Sequence, residues 1–254
     1  MSNYRPRTDL LSGRNILVTG ASDGIGRVAA KTYAQYGATV LLLGRDQKKL
    51  ETVNDEITSA TDTSPLIIPF DLAKLHAQSE AELSGSLQDA IEQLDGILHN
   101  ASLLGSKLPV AHYPSNEWET VMHVNVNAAF LLTKALLPAL ERSSDASVIF
   151  TSSGVGRKGR AYWGAYAVSK FATEGMMEVL ADELSDTNIR VNSLNPGGTR
   201  TTMRARAYPA EDPMTLPTPD EHMPLYLYLV GPDSKGVNGQ KFDASSWRGP
   251  SVQR

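Results

Sequence analysis

The chain has 254 residues, 41% hydrophobic and 20% charged, which suits one large or two small globular domains and excludes a disordered polymer. Its 24 basic and 28 acidic residues leave a net charge of −4, so charge gives no case for binding nucleic acid or an anionic membrane. The absence of cysteine excludes disulfides, thiolate metal sites and cysteine nucleophiles, and fits a reducing cytoplasm.

Met1 to Arg14 holds basic residues but no apolar run, so no signal peptide is expected. From Asn15 onward, strand-like and helix-like patterns alternate. Ile16 to Thr19 is a short apolar run ending in glycine, followed by a helix over Gly24 to Tyr36 with Ile25, Val28, Ala29 and Thr32 at helical spacing. Thr39 to Leu43 reads as a second strand, and Leu50, Val53 and Ile57 stripe the next helix. Leu66 to Ile68 is strand three; Leu83, Leu87, Ile91 and Leu94 then stripe a helix that leads to strand four, Gly96 to His99. A long helix over Asn116 to Leu140 follows. Its apolar part, Ala128 to Leu140, is interrupted by Lys134 and falls short of the ~20 residues that cross a bilayer. Val148 to Phe150 is strand five, Ala165 to Ser185 a helix and Val191 to Leu194 strand six.

Strands that are continuously apolar, rather than alternating, are buried on both faces, as in a parallel sheet covered by helices. Strands separated by helices imply right-handed crossovers. The reading is therefore an α/β, Rossmann-type doubly wound sheet in a single domain over residues 1–254, with ligands beyond the carboxyl ends of its strands. Composition breaks once, at Arg204 to Pro224, where Pro209, Pro213, Pro217, Pro219 and Pro224 forbid a long regular helix. Its place just after strand six makes it a candidate lid over the site.

The first strand runs into Gly20-Ala21-Ser22-Asp23-Gly24-Ile25-Gly26, a Gly-x-x-x-Gly-x-Gly turn that opens a helix. Such a turn lets backbone approach a pyrophosphate, and the helix start supplies N–H groups and partial positive charge. Gly20, Ser22, Asp23, Gly24, Ile25 and Gly26 are thus candidate cofactor residues. At the end of strand two, Gly44 stands where a carboxylate would bind the ribose 2′-hydroxyl of NAD, and Arg45 follows, which favours the 2′-phosphate of NADP(H) over NAD(H). Further on, Tyr166 and Lys170 are four residues apart, on one face of a helix, where an ammonium can favour the phenolate for acid–base chemistry.

Together, the glycine turn and Tyr-x-x-x-Lys resemble the short-chain dehydrogenases/reductases, over Leu10 to about Ala244. Three segments, Thr151 to Gly164, Ser169 to Met177 and Asn195 to Met203, resemble one bacterial branch of that family. The resemblance implies roles for further residues. Asp71 and Leu72 match an adenine-contacting pair, and Asn100 and Ala101 belong to the cofactor segment after strand four. Asn125 matches the asparagine that holds a water in the proton relay, and Ser153 the catalytic serine that hydrogen-bonds the substrate oxygen. Pro196, Gly197, Thr199 and Thr201 match the nicotinamide-carboxamide segment, and Asn238 to Asp243 the seventh strand, implying the order 3-2-1-4-5-6-7. His99 replaces an asparagine and Ser102 a glycine, the latter a strain if that backbone is left-handed.

The activity implied is hydride transfer between NADP(H) and a carbonyl or alcohol substrate, with Tyr166 as proton donor or acceptor and Lys170 on the nicotinamide ribose. A homodimer or homotetramer formed through the long helices is also implied. No metal, nucleic acid or membrane partner is expected. A non-catalytic NADP(H)-sensing protein and action on a group other than carbonyl are the alternatives, though a sensor would be expected to lack serine, tyrosine or lysine. Arg157, Lys158 and Arg160, with Arg200, Arg204 and Arg206, suggest an anionic or aromatic substrate, or else a solvated rim.

Overall fold

The computed structural model describes residues 3–78, 85 and 91–250. Seven parallel strands lie in the order β3-β2-β1-β4-β5-β6-β7. They are β1 (Asn15–Thr19), β2 (Thr39–Gly44), β3 (Leu66–Pro69), β4 (Gly96–His99), β5 (Ala146–Thr151), β6 (Ile189–Asn195) and β7 (Lys241–Asp243). All of β5 and all but the first residue of β1 are buried, which is why these strands are continuously apolar. β1 pairs with both β2 and β4, so the chain reverses its direction of travel across the sheet there and leaves a crevice at the carboxyl ends of these strands.

Helix α1 (Gly24–Gln35) buries Gly26, Ala29, Ala30, Tyr33 and Ala34, a stripe rotated from the expected one. Ile25 and Val28 sit only partly against the core. The helix faces the sheet with small residues, allowing close approach, and a pattern drawn from its larger apolar residues misses that face. Helix α2 (Gln47–Ala60) buries Leu50, Val53 and Ile57 as its spacing predicts. Of the next expected stripe, Leu83 and Leu87 lie outside the described residues.

The long helix is not uniform. Helix α3 (Ser115–Met122) and helix α4 (Ala128–Glu141) are joined by a wider π-helical turn at His123–Asn127. By length and composition Ser115–Glu141 could cross a membrane, but Leu132, Leu136, Ala139 and Leu140 are buried in one core with Ile97, Val148 and Phe150. Helix α5 (Gly164–Glu183) follows β5, and the short α6 (Thr202–Ala207) follows β6.

The proline-rich stretch contains single turns at Pro213–Thr215 and Pro219–His222, then enters α7 (Met223–Val230). Periodicity does not reveal α7, because Leu225 through Val230 are all buried and the helix is apolar all round. Pro224 reads as a breaker yet sits in the first turn, where its missing N–H costs no hydrogen bond. At the amino ends of the strands, far from the crevice, Arg14 and Arg190 both pair with Asp145 at 3.1 Å.

Candidate active site

The crevice begins at the glycine turn. Gly20 and Gly24 adopt left-handed φ of 66° and 55°, and a Cβ on Gly26 would fall 2.3 Å from the Gly20 carbonyl oxygen and 2.5 Å from Asn100 Nδ2. The turn is thus compressed onto the end of β4. Asn100 Nδ2 donates to the Thr19 carbonyl at 3.3 Å, while the amides of Asn100 and Ala101 donate to Thr19 Oγ1, each at 3.0 Å. Asp23 accepts from its neighbour's amide, Gly24 N–H, at 2.7 Å and caps α1. Asp23, Gly24, Arg27, Arg200 and Thr201 border an open depression of 420 Å³ at the start of α1. A glycine-rich turn at a helix start, with Arg27 and Arg200 on its rim, fits a pyrophosphate.

At the carboxyl end of β2, exposed Arg45 borders a second depression of 620 Å³ with Asp46, Gln47, Lys48 and Glu51. Asp46 caps α2 through the Lys49 amide at 3.1 Å. Two cations on this rim suit a phosphate. Lys48 carries no motif and becomes visible only when α2 places it beside Arg45. Ser22 faces the same strand end, with Oγ 3.5 Å from where a Cβ on Gly44 would lie. Asp71 accepts from Ala73 N–H at 3.1 Å, and Leu72 is buried in the core.

The two departures after strand four resolve differently. His99 is buried, stacked on Phe150 at 4.7 Å, with Nε2 2.8 Å from Thr133 Oγ1. Burial lowers its pKa to about 3, so the imidazole is neutral and acts as packing. Ser102 has an ordinary backbone, since Tyr162 is the one left-handed non-glycine among the described residues. No strain follows from replacing glycine there.

Ser153, Tyr166 and Lys170 converge where β5 meets α5. Ser153 leaves β5 and caps the turn at Gly154–Gly156. Its hydroxyl, beside the Tyr166 phenol, favours the phenolate, yet burial outweighs this and raises Tyr166 to about 12. Lys170 Nζ is 5.6 Å from the Tyr166 ring centroid and donates to the Thr151 carbonyl at 2.8 Å. Burial lowers Lys170 to about 8, against the nearby Glu174 carboxylate, which favours the ammonium. The expected depression of the phenol by the ammonium is therefore not the dominant influence here, because Tyr166 lies among Val155, Trp163, Ala167 and Ala207.

Buried Glu174, one turn beyond Lys170, was not singled out by motif. It accepts from Ser193 Oγ at 2.8 Å and pairs with Arg157 Nε at 3.4 Å. Asn125 sits in the π-helical turn with its amide engaged: Oδ1 accepts from Leu103 N–H at 2.7 Å, and Nδ2 donates to the Leu103 carbonyl and Ser169 Oγ, both at 2.9 Å. Its side chain thus fixes the segment after β4 to α5. After β6, Gly197 is left-handed at φ 75°, buried Thr199 Oγ1 is 3.0 Å from His222 Nε2, and Thr201 caps α6 through Arg204 N–H at 3.2 Å. Buried Pro196 leads into this segment.

The suggested cluster of basic residues is largely spoken for. Arg157 also pairs with Asp243, Arg204 is bidentate to Glu211 at 2.6 Å, and Arg200 donates to the carbonyls of Pro213, Met214 and Leu216. Lys158, Arg160 and Arg206 are exposed.

The short chain dehydrogenase family model matches residues 14–212. The uncharacterized oxidoreductase YciK of Escherichia coli K12 is 54% identical over 252 residues, 99% of this chain and 100% of that protein. A short chain dehydrogenase from Shigella flexneri 2a, solved in complex with NADP, is 54% identical with a TM-score of 0.92 over 94% of this chain and 100% of that one. Another, from Escherichia coli CFT073 in complex with NADPH, is 55% identical with a TM-score of 0.92 over 94% and 99%.

Proposed function

Because the chain belongs to the short-chain dehydrogenase family, as an oxidoreductase of the YciK type, we propose that it transfers hydride between NADP(H) and a carbonyl or alcohol carbon. The observation that carries this reading is the convergence of Ser153, Tyr166 and Lys170 at the carboxyl end of β5.

The turn from Gly20 to Gly26 and Arg45 would hold NADPH, which when bound would supply the hydride. In reduction the Tyr166 hydroxyl gives its proton to the carbonyl oxygen; in oxidation the phenolate takes one from the alcohol. The Ser153 hydroxyl hydrogen-bonds the same oxygen, and placed donors around a developing alkoxide are the larger catalytic contribution. Lys170 holds the nicotinamide ribose and places positive charge near the phenol. Asn125 supports it from the π-helical turn and links it to solvent through water. Asp71, Leu72, Asn100 and Ala101 would hold the adenine and its ribose, and Pro196, Gly197, Thr199 and Thr201 the carboxamide. Arg204 to Pro224 closes over the site as a lid. The preference for NADP(H) over NAD(H) rests on Arg45, supported by Lys48 on the same rim and by the NADP and NADPH complexes of the relatives.

The protein acts in the cytoplasm as a homodimer or homotetramer. Exposed Phe130 on α4 and exposed Val168, Phe171 and Val179 on α5 support assembly through these helices.

The test is Tyr166→Phe, assayed on a panel of aldehydes and ketones with NADPH. Turnover is expected to fall by about 10²–10⁴-fold, the share that proton transfer contributes, while NADPH affinity changes less than about twofold. Retained turnover, or loss of NADPH binding together with activity, overturns the assignment.

A further inference from the structure

Lys107 holds its ammonium against the rings of Trp163 and Tyr208. Nζ lies 4.2 Å from the Tyr208 ring centroid and 4.9 Å from that of Trp163, and it donates to the Ala207 carbonyl at 2.8 Å. The Trp163 ring is in turn 5.7 Å from Tyr166 and 5.9 Å from Tyr208. Val155, Ala167, Ala207, Leu104 and Met203 complete this apolar cluster, and the Arg204 guanidinium, paired with Glu211, lies 3.9 Å from the Tyr208 ring centroid.

The charge balance at this place is uneven. Among the described residues no carboxylate comes within ion-pairing distance of Lys107. The other cations near the site have carboxylates at hand: Arg157 has Glu174 and Asp243, Arg204 has Glu211, and Lys170 has Glu174 nearby. An ammonium has three donors, and Ala207 takes one. Ring faces offset part of the cost of drawing this half-buried cation away from water, and they leave its other donors to solvent or a ligand.

We propose that Lys107 receives an anionic group of the substrate, and that the substrate is a carbonyl compound with a flat, apolar body and a carboxylate. The Trp163 ring lies 4.9 Å from the Lys107 ammonium and 5.7 Å from the Tyr166 ring, so a small molecule seated against it would span from one to the other. The chemistry matches on each part: an ammonium for the carboxylate, rings for the body, a phenol for the carbonyl oxygen. The inference rests on the oxidoreductase reading, which places the carbonyl beside Tyr166.

Calorimetric titration of the NADP-loaded protein with phenylacetate and with its neutral counterpart, phenylacetamide, tests it. Phenylacetate is expected to bind about tenfold or more tightly than the amide, as a charge-assisted contact implies. Lys107→Gln should erase that difference while its circular dichroism and NADPH binding stay those of the parent, and Lys107→Arg should keep most of it. Absent phenylacetate binding, equal binding of the two probes, or an equal loss for both in Lys107→Gln overturns the proposal; the last outcome leaves Lys107 as a tie between Ala207 and the segment after β4. Reduction of phenylglyoxylate, benzaldehyde and acetophenone is followed in parallel. Lys107-dependent phenylacetate binding without turnover of any carbonyl compound overturns the oxidoreductase reading and leaves the anion site standing. Turnover without Lys107-dependent binding does the reverse.

Discussion

A methyl group on Gly156 would stand 2.8 Å from the Cβ of Lys170 and 3.0 Å from its carbonyl carbon. The turn that leaves β5 therefore lies against α5 at the residue that bears the ammonium, and this contact sets how far Ser153 stands from Tyr166. Gly156→Ala must push the turn off the helix, since backbone atoms are among those it meets. We predict a fall of about 10-fold to 100-fold in kcat, because misplacement by an ångström is that costly, with NADPH affinity unchanged. Steady-state kinetics beside a nucleotide titration check this, and an unchanged kcat would show that the turn tolerates displacement.

How much of this could be read from the chain depends on how far apart the interacting residues lie. Tyr166 and Lys170 are legible because four residues along a helix put them on one face, and β1 and β5 because burial on both sides demands unbroken apolar runs. The face of α1 is legible only in part, since Ala29 falls in the expected stripe while the small Gly26, Ala30 and Ala34 carry no such signal. The direction of the Tyr166 shift also escapes, because it is set by Val155, Trp163 and Ala207, which only the fold brings around the phenol. Lys48, Lys107 and Glu174 are ordinary charged residues in the sequence. They acquire meaning from neighbours on other elements.

Asn125 illustrates the same point and gives a second prediction. The motif identifies the residue, but only the fold shows its amide bridging Leu103 and Ser169. Asn125→Ala removes three hydrogen bonds and leaves both backbone groups of Leu103 without these partners. A loss of about 2–4 kcal/mol is expected, since buried polar groups left unpaired are costly. Urea denaturation measures it; a loss below about 0.5 kcal/mol would show that water replaces the amide at no cost.

His99 makes stability depend on pH. Its pKa falls from 6.5 to about 3 on burial, so the unfolded chain binds the proton more readily. The contribution is fully present above pH 6.5 and is lost as pH falls from 6.5 through 3. Between pH 7 and pH 5 this group alone removes about 2 kcal/mol. His99→Gln should be less stable than the parent at pH 7, where it loses the stack on Phe150, yet decline less steeply below pH 6.5. Parallel slopes in denaturation experiments at pH 7, 6 and 5 would mean that the imidazole gains its proton without unfolding.

Arg45 and Lys48 border one depression at the end of β2, and they differ in what they can do for a phosphate. Arginine offers a fixed fork of donors, whereas lysine is a flexible point charge. Asp46 and Glu51 border the same depression, so removing a cation leaves an acidic rim. Arg45→Asp should therefore weaken NADPH binding by more than 100-fold, through loss of a charge-assisted contact and gain of a repulsive one, and NADH binding should hold or improve. Lys48→Ala should weaken NADPH by a smaller factor, about 3-fold to 10-fold, and more so at low ionic strength, as an exposed charge does. Nucleotide fluorescence titrations with NADPH and NADH on the three proteins measure both. Equal affinity of the parent for the two nucleotides would mean that Arg45 does not read the 2′-phosphate, and the preference for NADP(H) would fall while the arrangement of Ser153, Tyr166 and Lys170 stood.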